Sequence, residues 1–127
     1  MIDHVSVAVR DLGVSADLYE RLLAPLGFKR LVTREATVGF GKTYPEFWLN
    51  ARPQATPMPD DTGYHVCLRA PDIAAVSAFH TVALQLGCRN AGEPGVRQAA
   101  MTSYYGAFIL DGDGNKIEAV CFPKKDG

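Results

Sequence analysis

The sequence lacks the features that mark several specialised classes of protein. Its cysteines, Cys67, Cys88 and Cys121, are odd in number and show no CxxC spacing, which favours free thiols over disulfides or a cysteine metal site. Its net charge is only −1 at pH 7, so no excess of positive charge is available to bind nucleic acid. Cysteine chemistry and nucleic-acid binding are therefore not expected.

The sequence also lacks any apolar run long enough to cross a bilayer. Its first residues show neither the basic nor the apolar region of a signal peptide. We therefore predict a soluble cytoplasmic protein without a membrane partner. The 127 residues, of which 47% are apolar and 21% charged, suit a single domain with a hydrophobic core.

The two halves of the sequence repeat each other. Residues 4–12 align with residues 65–73, and a histidine, a valine and an aspartate recur in register. After one deleted residue the match continues to the glycines that end two predicted helices, Gly27 and Gly87. A long period that occurs only twice indicates duplicated modules within one domain.

Each module is predicted to contain a strand, a helix and three further strands. The strands expected after the helices are residues 29–33, 37–41 and 46–50 in the first module, and 98–103, 105–110 and 116–122 in the second. The predicted fold is α+β, in which two βαβββ modules form a cup-shaped, incompletely closed mixed β-barrel with the helices outside. Its single domain, 1–127, comprises module one (1–50), a proline-containing linker (51–63) and module two (64–122).

Strand alternation predicts which side chains face the cup. The set expected to pack under the helices is Val5, Val7, Val9, Val66, Leu68, Ile117, Ala119 and Cys121. Because successive side chains point to opposite faces, His4, His65 and Glu118 are expected on the concave surface. Imidazole and carboxylate groups bind first-row divalent metals and would leave positions open for water or substrate. A single histidine at the start of a strand is more often a boundary histidine than a ligand, and Glu118 alone is compatible with a solvated carboxylate. The prediction of a metal site therefore depends on two histidines at equivalent repeat positions with a carboxylate on the matching face.

At these positions the sequence resembles the vicinal oxygen chelate superfamily, which includes glyoxalase I, extradiol dioxygenases, fosfomycin-resistance thiol transferases and bleomycin-resistance proteins. The resemblance is carried by residues 2–5 leading to 11–12, by Phe28 after 26–27, and by residues 108–120. It implies that His4, His65 and Glu118 bind a divalent metal ion, Fe, Mn, Ni, Zn or Co, and that Glu118 is catalytic. It also implies a homodimer.

The sequence departs from the glyoxalase I-like pattern at the fourth ligand position. The internal repeat places Trp48 opposite Glu118, where such proteins carry a second carboxylate. A set of two histidines and one glutamate is closer to the dioxygenases and the fosfomycin-resistance enzymes. Trp48, Tyr104 and Arg69 are candidates for the substrate pocket.

We therefore predict a divalent-metal-dependent enzyme that acts on a small oxygen-chelating substrate. A lyase or isomerase, a dioxygenase and a thiol transferase stay open as reaction types. The main alternative is a metal-free protein that sequesters a ligand, as bleomycin-resistance proteins do, through stacking and apolar burial. A further alternative is an interaction module in which the cup has lost its function.

Overall fold

The computed structural model describes residues 1–59 and 61–123, which fold into two βαβββ modules. The first module contains β1 (Val5–Val9), α1 (Leu12–Leu23), a 3₁₀ helix (Ala24–Leu26), β2 (Lys29–Thr33), β3 (Thr37–Gly41) and β4 (Phe47–Ala51). The second contains β5 (Val66–Arg69), α2 (Ile73–Gln85), β6 (Arg89–Gln98), β7 (Ser103–Leu110) and β8 (Lys116–Cys121). The predicted α+β class and its two βαβββ modules are confirmed.

Each module forms its own four-stranded mixed sheet. The first sheet has the order β1-β4-β3-β2, and the second has the equivalent order β5-β8-β7-β6. In both, the first strand of the module pairs in parallel with the last, and the other pairs are antiparallel. The last strand of each module is therefore central, with a neighbour on both sides.

The prediction for residues 98–103 was wrong, because the structure has a strand at 89–98 and a turn before β7. The pairing of β6 with β7 shifts register between Asn90 and Gly92 and again between Gly92 and Gly95. Such bulges interrupt the regular alternation of side chains. The two-residue period on which the prediction depended is therefore absent from the sequence of β6.

The helices begin and pack as their sequences indicate. Asp72, predicted to cap α2, accepts a hydrogen bond from the backbone nitrogen of Ala75 at 2.8 Å. Asp11 caps α1 in the same way through the backbone nitrogen of Val14. The largest fully buried side chains lie between helices and sheets: Tyr19, Phe40, Phe47, Phe79, Leu22, Leu23, Leu26, Leu49, Ile109 and Ile117. None of the helices in the described part of the chain is long and apolar enough to span a membrane.

A buried polar network joins the two modules. Asp111, only 4% exposed, lies in the turn between β7 and β8 and accepts a hydrogen bond from the hydroxyl of Tyr19 on α1 at 2.6 Å. Asn115 donates to Asp111 Oδ2 at 2.9 Å and to the carbonyl oxygen of Ala8 on β1 at 2.8 Å. Because buried polar groups are costly unless they are paired, this network fixes the second hairpin against the first module.

Candidate functional site

A histidine and a glutamate meet on the open face of the second sheet. Nε2 of His65 lies 2.9 Å from Oε1 of Glu118. The glutamate is 3% exposed, whereas the histidine side chain is 40% exposed. The other oxygen, Oε2 of Glu118, is buried without a hydrogen-bond partner. The thiol of Cys67 and the phenol of Tyr104 lie beside this carboxylate, and hydrogen bonding to it contributes to the raised pKa of both groups.

The sheet register explains why Glu118 is buried although it lies on the open face. It occupies the central strand β8, opposite Cys67 on β5 and Phe108 on β7. Gly106 lies beside it: a Cβ atom there would be 3.1 Å from Oε2 of Glu118 and 3.0 Å from Cε2 of Tyr104. The glycine therefore leaves room for the carboxylate and the phenol ring, which would have to shift by a few tenths of an ångström to accommodate a larger residue.

Two groups beside Glu118, the thiol of Cys67 and the phenol of Tyr104, have raised pKa values. Loss of hydration, followed by the charge of Glu118, raises the pKa of the Cys67 thiol to about 12. Loss of hydration and the same carboxylate also raise the pKa of Tyr104. At neutral pH both neighbours are therefore neutral, and Cys67 is not poised as a thiolate nucleophile.

His4 lies on the other sheet. Its side chain is 54% exposed, and Nδ1 lies 2.7 Å from Oδ1 of Asp3. It lines a shallow pocket of about 200 Å³ formed by His4, Ser6, Arg34, Thr37, Trp48 and Asn50. Among the residues that the structure describes, no three or more His, Cys, Asp or Glu side chains are grouped so that they could hold a metal ion. Of the predicted metal ligands, one chain brings together only His65 and Glu118.

Trp48 occupies the position on the first sheet that Glu118 occupies on the second. Ser6 pairs with Trp48 across β1 and β4, and Cys67 pairs with Glu118 across β5 and β8. The indole is half-buried, and the guanidinium carbon of Arg34 lies 5.8 Å from its ring centroid. The first sheet thus presents an aromatic side chain where the second presents a carboxylate.

The other two predicted pocket residues lie on the second sheet. The guanidinium of Arg69 stacks over the ring of Phe122 at 4.6 Å, and the ring of Tyr104 lies 5.9 Å from the same ring. Tyr104 also lines a surface cavity of about 620 Å³ beside the turn between β6 and β7. That cavity includes none of the predicted metal ligands.

The donor chemistry of His65 and Glu118 fits a divalent metal ion. An imidazole nitrogen and a carboxylate oxygen are donor atoms that first-row divalent metals bind. In this structure Nε2 of His65 and Oε1 of Glu118 are 2.9 Å apart and hydrogen-bonded to each other. The pair supplies one imidazole and one carboxylate, so a complete set requires a further ligand from elsewhere.

The ring of Phe108 contacts His65 and two cations, Arg97 and Lys116. The ring of Phe108 contacts the ring of His65 edge-on at 5.2 Å, and it also contacts two cations, Arg97 Cζ at 5.1 Å and Lys116 Nζ at 5.0 Å. Arg97 precedes the strand predicted at 98–103, so strand alternation did not assign it to this face. Correct placement of β6 at 89–98 would have put Arg97 opposite Tyr104 on the same face.

Comparisons with known proteins agree on one family. The family model described as Glyoxalase/Bleomycin resistance protein/Dioxygenase superfamily matches residues 1–119. The crystal structure of a glyoxalase/bleomycin resistance protein from Albidiferax ferrireducens T118 is 30% identical, with a TM-score of 0.83 over 94% of this chain and 98% of that one. A glyoxalase/dioxygenase from Nostoc punctiforme shares the fold at 19% identity and a TM-score of 0.72, over 98% and 92% of the two chains. No curated protein matches the sequence.

Proposed function

Because the chain belongs to the glyoxalase/bleomycin resistance protein/dioxygenase superfamily, we propose that it is a divalent-metal-dependent enzyme. Its substrate is a small molecule with adjacent oxygen atoms, and the metal is Fe, Mn, Ni, Zn or Co. The observation that supports this proposal is the contact between His65 and Glu118, which brings an imidazole and a buried carboxylate together on the open face of the second sheet. The three free cysteines agree with a cytoplasmic location.

A bound divalent metal would polarise a carbonyl or hydroxyl oxygen of the substrate. His65 holds Oε1 of Glu118 at 2.9 Å, so Oε2 is the oxygen left to accept a proton or a further contact. Tyr104 and Cys67, both protonated at neutral pH, line the carboxylate and can donate hydrogen bonds to it or to the substrate. We assign Glu118 the catalytic role, as metal ligand and as proton acceptor.

The proposal places His4 in the same site through a second copy of the chain. His4 and Trp48 lie on the first sheet, away from His65 and Glu118 on the second. In a homodimer that apposes the first sheet of one chain to the second sheet of its partner, His4 would complete the ligand set. Trp48 would then form a wall of a substrate pocket that also contains Tyr104 and Arg69.

Metal content tests the proposal directly. Protein purified without a chelator is analysed by inductively coupled plasma mass spectrometry, beside the variants His4→Ala and His65→Ala. We expect about one metal ion per chain, lost in both variants. His80→Gln serves as the control, since His80 is buried and bonded to Asn90 away from the site. Absence of metal from the wild type, even after reconstitution with each of the five metals, contradicts the proposal.

Mixing two variants tests whether a site is shared between chains. His4→Ala and Glu118→Gln each disable every site in a homodimer. A mixed dimer, refolded from equal amounts of both, would contain one intact site if the ligands come from different chains. We therefore expect partial recovery of bound metal, up to about half of a site per dimer on average. No recovery, with mixed dimers verified by native mass spectrometry, shows that each site lies within one chain.

A metal-free ligand-binding protein is the second candidate. One chain does not group three metal ligands among its described residues, and Trp48 is half-exposed in a pocket of about 200 Å³. If the metal analysis is negative, this candidate predicts that Trp48→Ala weakens ligand binding, whereas His65→Ala does not.

A further inference from the structure

We propose that Asp3 is a positioning residue for His4: its carboxylate holds the imidazole with the proton on Nδ1 and leaves Nε2 free to bind the metal ion. The inference rests on the proposed function, because it assigns a task to a residue beside one of the proposed ligands. It follows from two hydrogen bonds to one oxygen of Asp3, and from the turn that places the second donor there.

One carboxylate oxygen of Asp3 accepts both hydrogen bonds. Nδ1 of His4 lies 2.7 Å from Oδ1 of Asp3, and the hydroxyl of Tyr44 donates to the same oxygen at 2.7 Å. An ionised carboxylate has no proton to donate, so Nδ1 of the imidazole carries the proton in this contact. The neutral ring then accepts only through Nε2, and in the described part of the chain no group forms a hydrogen bond with that nitrogen.

The turn between β3 and β4 brings Tyr44 to Asp3. Gly41 ends β3, and a Cβ atom at this position would overlap the backbone oxygen of Tyr44. The glycine therefore lets the turn fold back over its own strand. The carbonyl oxygen of Glu46, at the end of the turn, accepts a hydrogen bond from the backbone nitrogen of Val5 at 2.9 Å, which ties the turn to the start of β1. The backbone of the turn thus places the hydroxyl of Tyr44 within reach of Asp3.

The other two of the three histidines use the opposite ring nitrogen. Nε2 of His65 lies 2.9 Å from a carboxylate oxygen of Glu118, and Nε2 of His80 lies 2.9 Å from Oδ1 of Asn90. Because both partners are oxygen acceptors, both rings carry the proton on Nε2. Nε2 of His65 has to lose this proton before it can bind a metal ion, whereas Nε2 of His4 is already an acceptor.

A carboxylate on the far nitrogen assists a histidine ligand in two ways. It fixes the tautomer and the orientation of the ring, and it raises the basicity of the nitrogen that binds the metal. The side chains of His4 and Asp3 are 54% and 63% exposed, and ion pairs this exposed contribute little to folding. Loss of the contact should therefore appear in metal affinity and not in stability.

Nuclear magnetic resonance reads the tautomer directly. Long-range ¹H–¹⁵N correlation spectra of the chelated, ¹⁵N-labelled protein are recorded at about pH 8, where neutral imidazole predominates. We expect the proton on Nδ1 in His4 and on Nε2 in His65 and His80. In Asp3→Ala, His4 should revert to the exchanging tautomers of a free imidazole. Asp17→Ala removes an exposed carboxylate of α1 and should leave His4 unchanged.

Zinc affinity tests the consequence of this positioning. It is measured for the wild type and the variants by competition with a fluorescent chelator. Asp3→Ala should weaken zinc binding by about tenfold or more, and Asp3→Asn, which keeps an oxygen acceptor, should recover part of the loss. Tyr44→Phe removes only the second donor to Asp3 and should cause a smaller loss. Asp17→Ala should bind zinc as the wild type does, and the urea midpoint of Asp3→Ala should match that of the wild type.

The two readouts separate a failure of this inference from a failure of the proposed function. The inference is overturned if His4 carries its proton on Nε2 in the wild type, if Asp3→Ala leaves the tautomer unchanged, or if Asp3→Ala binds zinc as tightly as the wild type does. In each of these cases, metal bound by the wild type and lost in His4→Ala keeps the proposed function. A wild type that shows the expected tautomer but binds no metal refutes the function and keeps Asp3 as the residue that orients His4.

Discussion

The hydroxyl of Tyr19 donates a hydrogen bond to Oδ2 of Asp111 at 2.6 Å, across the boundary between the two modules. Tyr19 is fully buried on α1, and Asp111 is almost fully buried in the turn that precedes β8. The strand β8 carries Glu118. The bond therefore connects the helix of the first module to the hairpin that positions the candidate site in the second.

Removal of this bond should destabilise the protein. Tyr19→Phe keeps the aromatic packing but leaves a buried carboxylate oxygen with one donor fewer. We expect the free energy of unfolding to fall by about 2 kcal/mol, as for hydrogen bonds to charged groups. Tyr44→Phe is the control, since Tyr44 donates a similar bond to Asp3 at 2.7 Å on the surface. Urea denaturation measures both, and equal losses in the two variants would contradict the role of burial.

Stability at high pH should depend on Tyr19. Burial, followed by the charge of Asp111, raises the pKa of Tyr19 well above its ordinary value of 10.0. The unfolded chain therefore loses this proton at lower pH than the folded chain does. The stabilisation is complete below pH 10 and is lost as the pH rises towards the pKa of the folded state. We expect the free energy of unfolding to decline more steeply above pH 10 in the wild type than in Tyr19→Phe, and parallel curves would contradict this.

A methyl group at Gly106 should disturb the site without unfolding the protein. The added Cβ would lie 3.1 Å from Oε2 of Glu118, 3.0 Å from the ring of Tyr104 and 3.3 Å from the backbone oxygen of Ala119. We expect Gly106→Ala to cost about 1–3 kcal/mol of stability and to lose most of the bound metal. Gly112→Ala is the control, because no atom lies within 4 Å of its Cβ position. Full metal content in Gly106→Ala would contradict this account of the site.

The single tryptophan can report whether a site is shared between two chains. Trp48 lies in the pocket of His4, on the sheet that does not contain Glu118. If a dimer joins these faces, Ni²⁺ should quench Trp48 fluorescence, whereas Zn²⁺ should not. Glu118→Gln should abolish the quenching. Quenching that persists in Glu118→Gln but disappears in His4→Ala would instead indicate local binding at His4.

The sequence alone predicted most of the strands and helices, and the side of each strand to which its side chains point. Strand-like composition and the residue type at a helix start are local properties, so they predicted β2, β3 and the cap of α2 at Asp72 correctly. The internal repeat also placed Trp48 at the position of Glu118, and the strand registers agree. The strand prediction failed at β6, because the bulges around Gly92 interrupt the alternation of side chains.

Only the tertiary structure decided which faces meet. Alternation put His4, His65 and Glu118 on the open faces of their strands, but the structure brings together only the last two. It also placed Arg97 and Lys116 around one aromatic ring. A period in the sequence fixes the direction of a side chain relative to its own backbone. The distance between side chains of different strands depends on register, bulges and the packing of the modules, which arise from contacts between residues far apart in the chain.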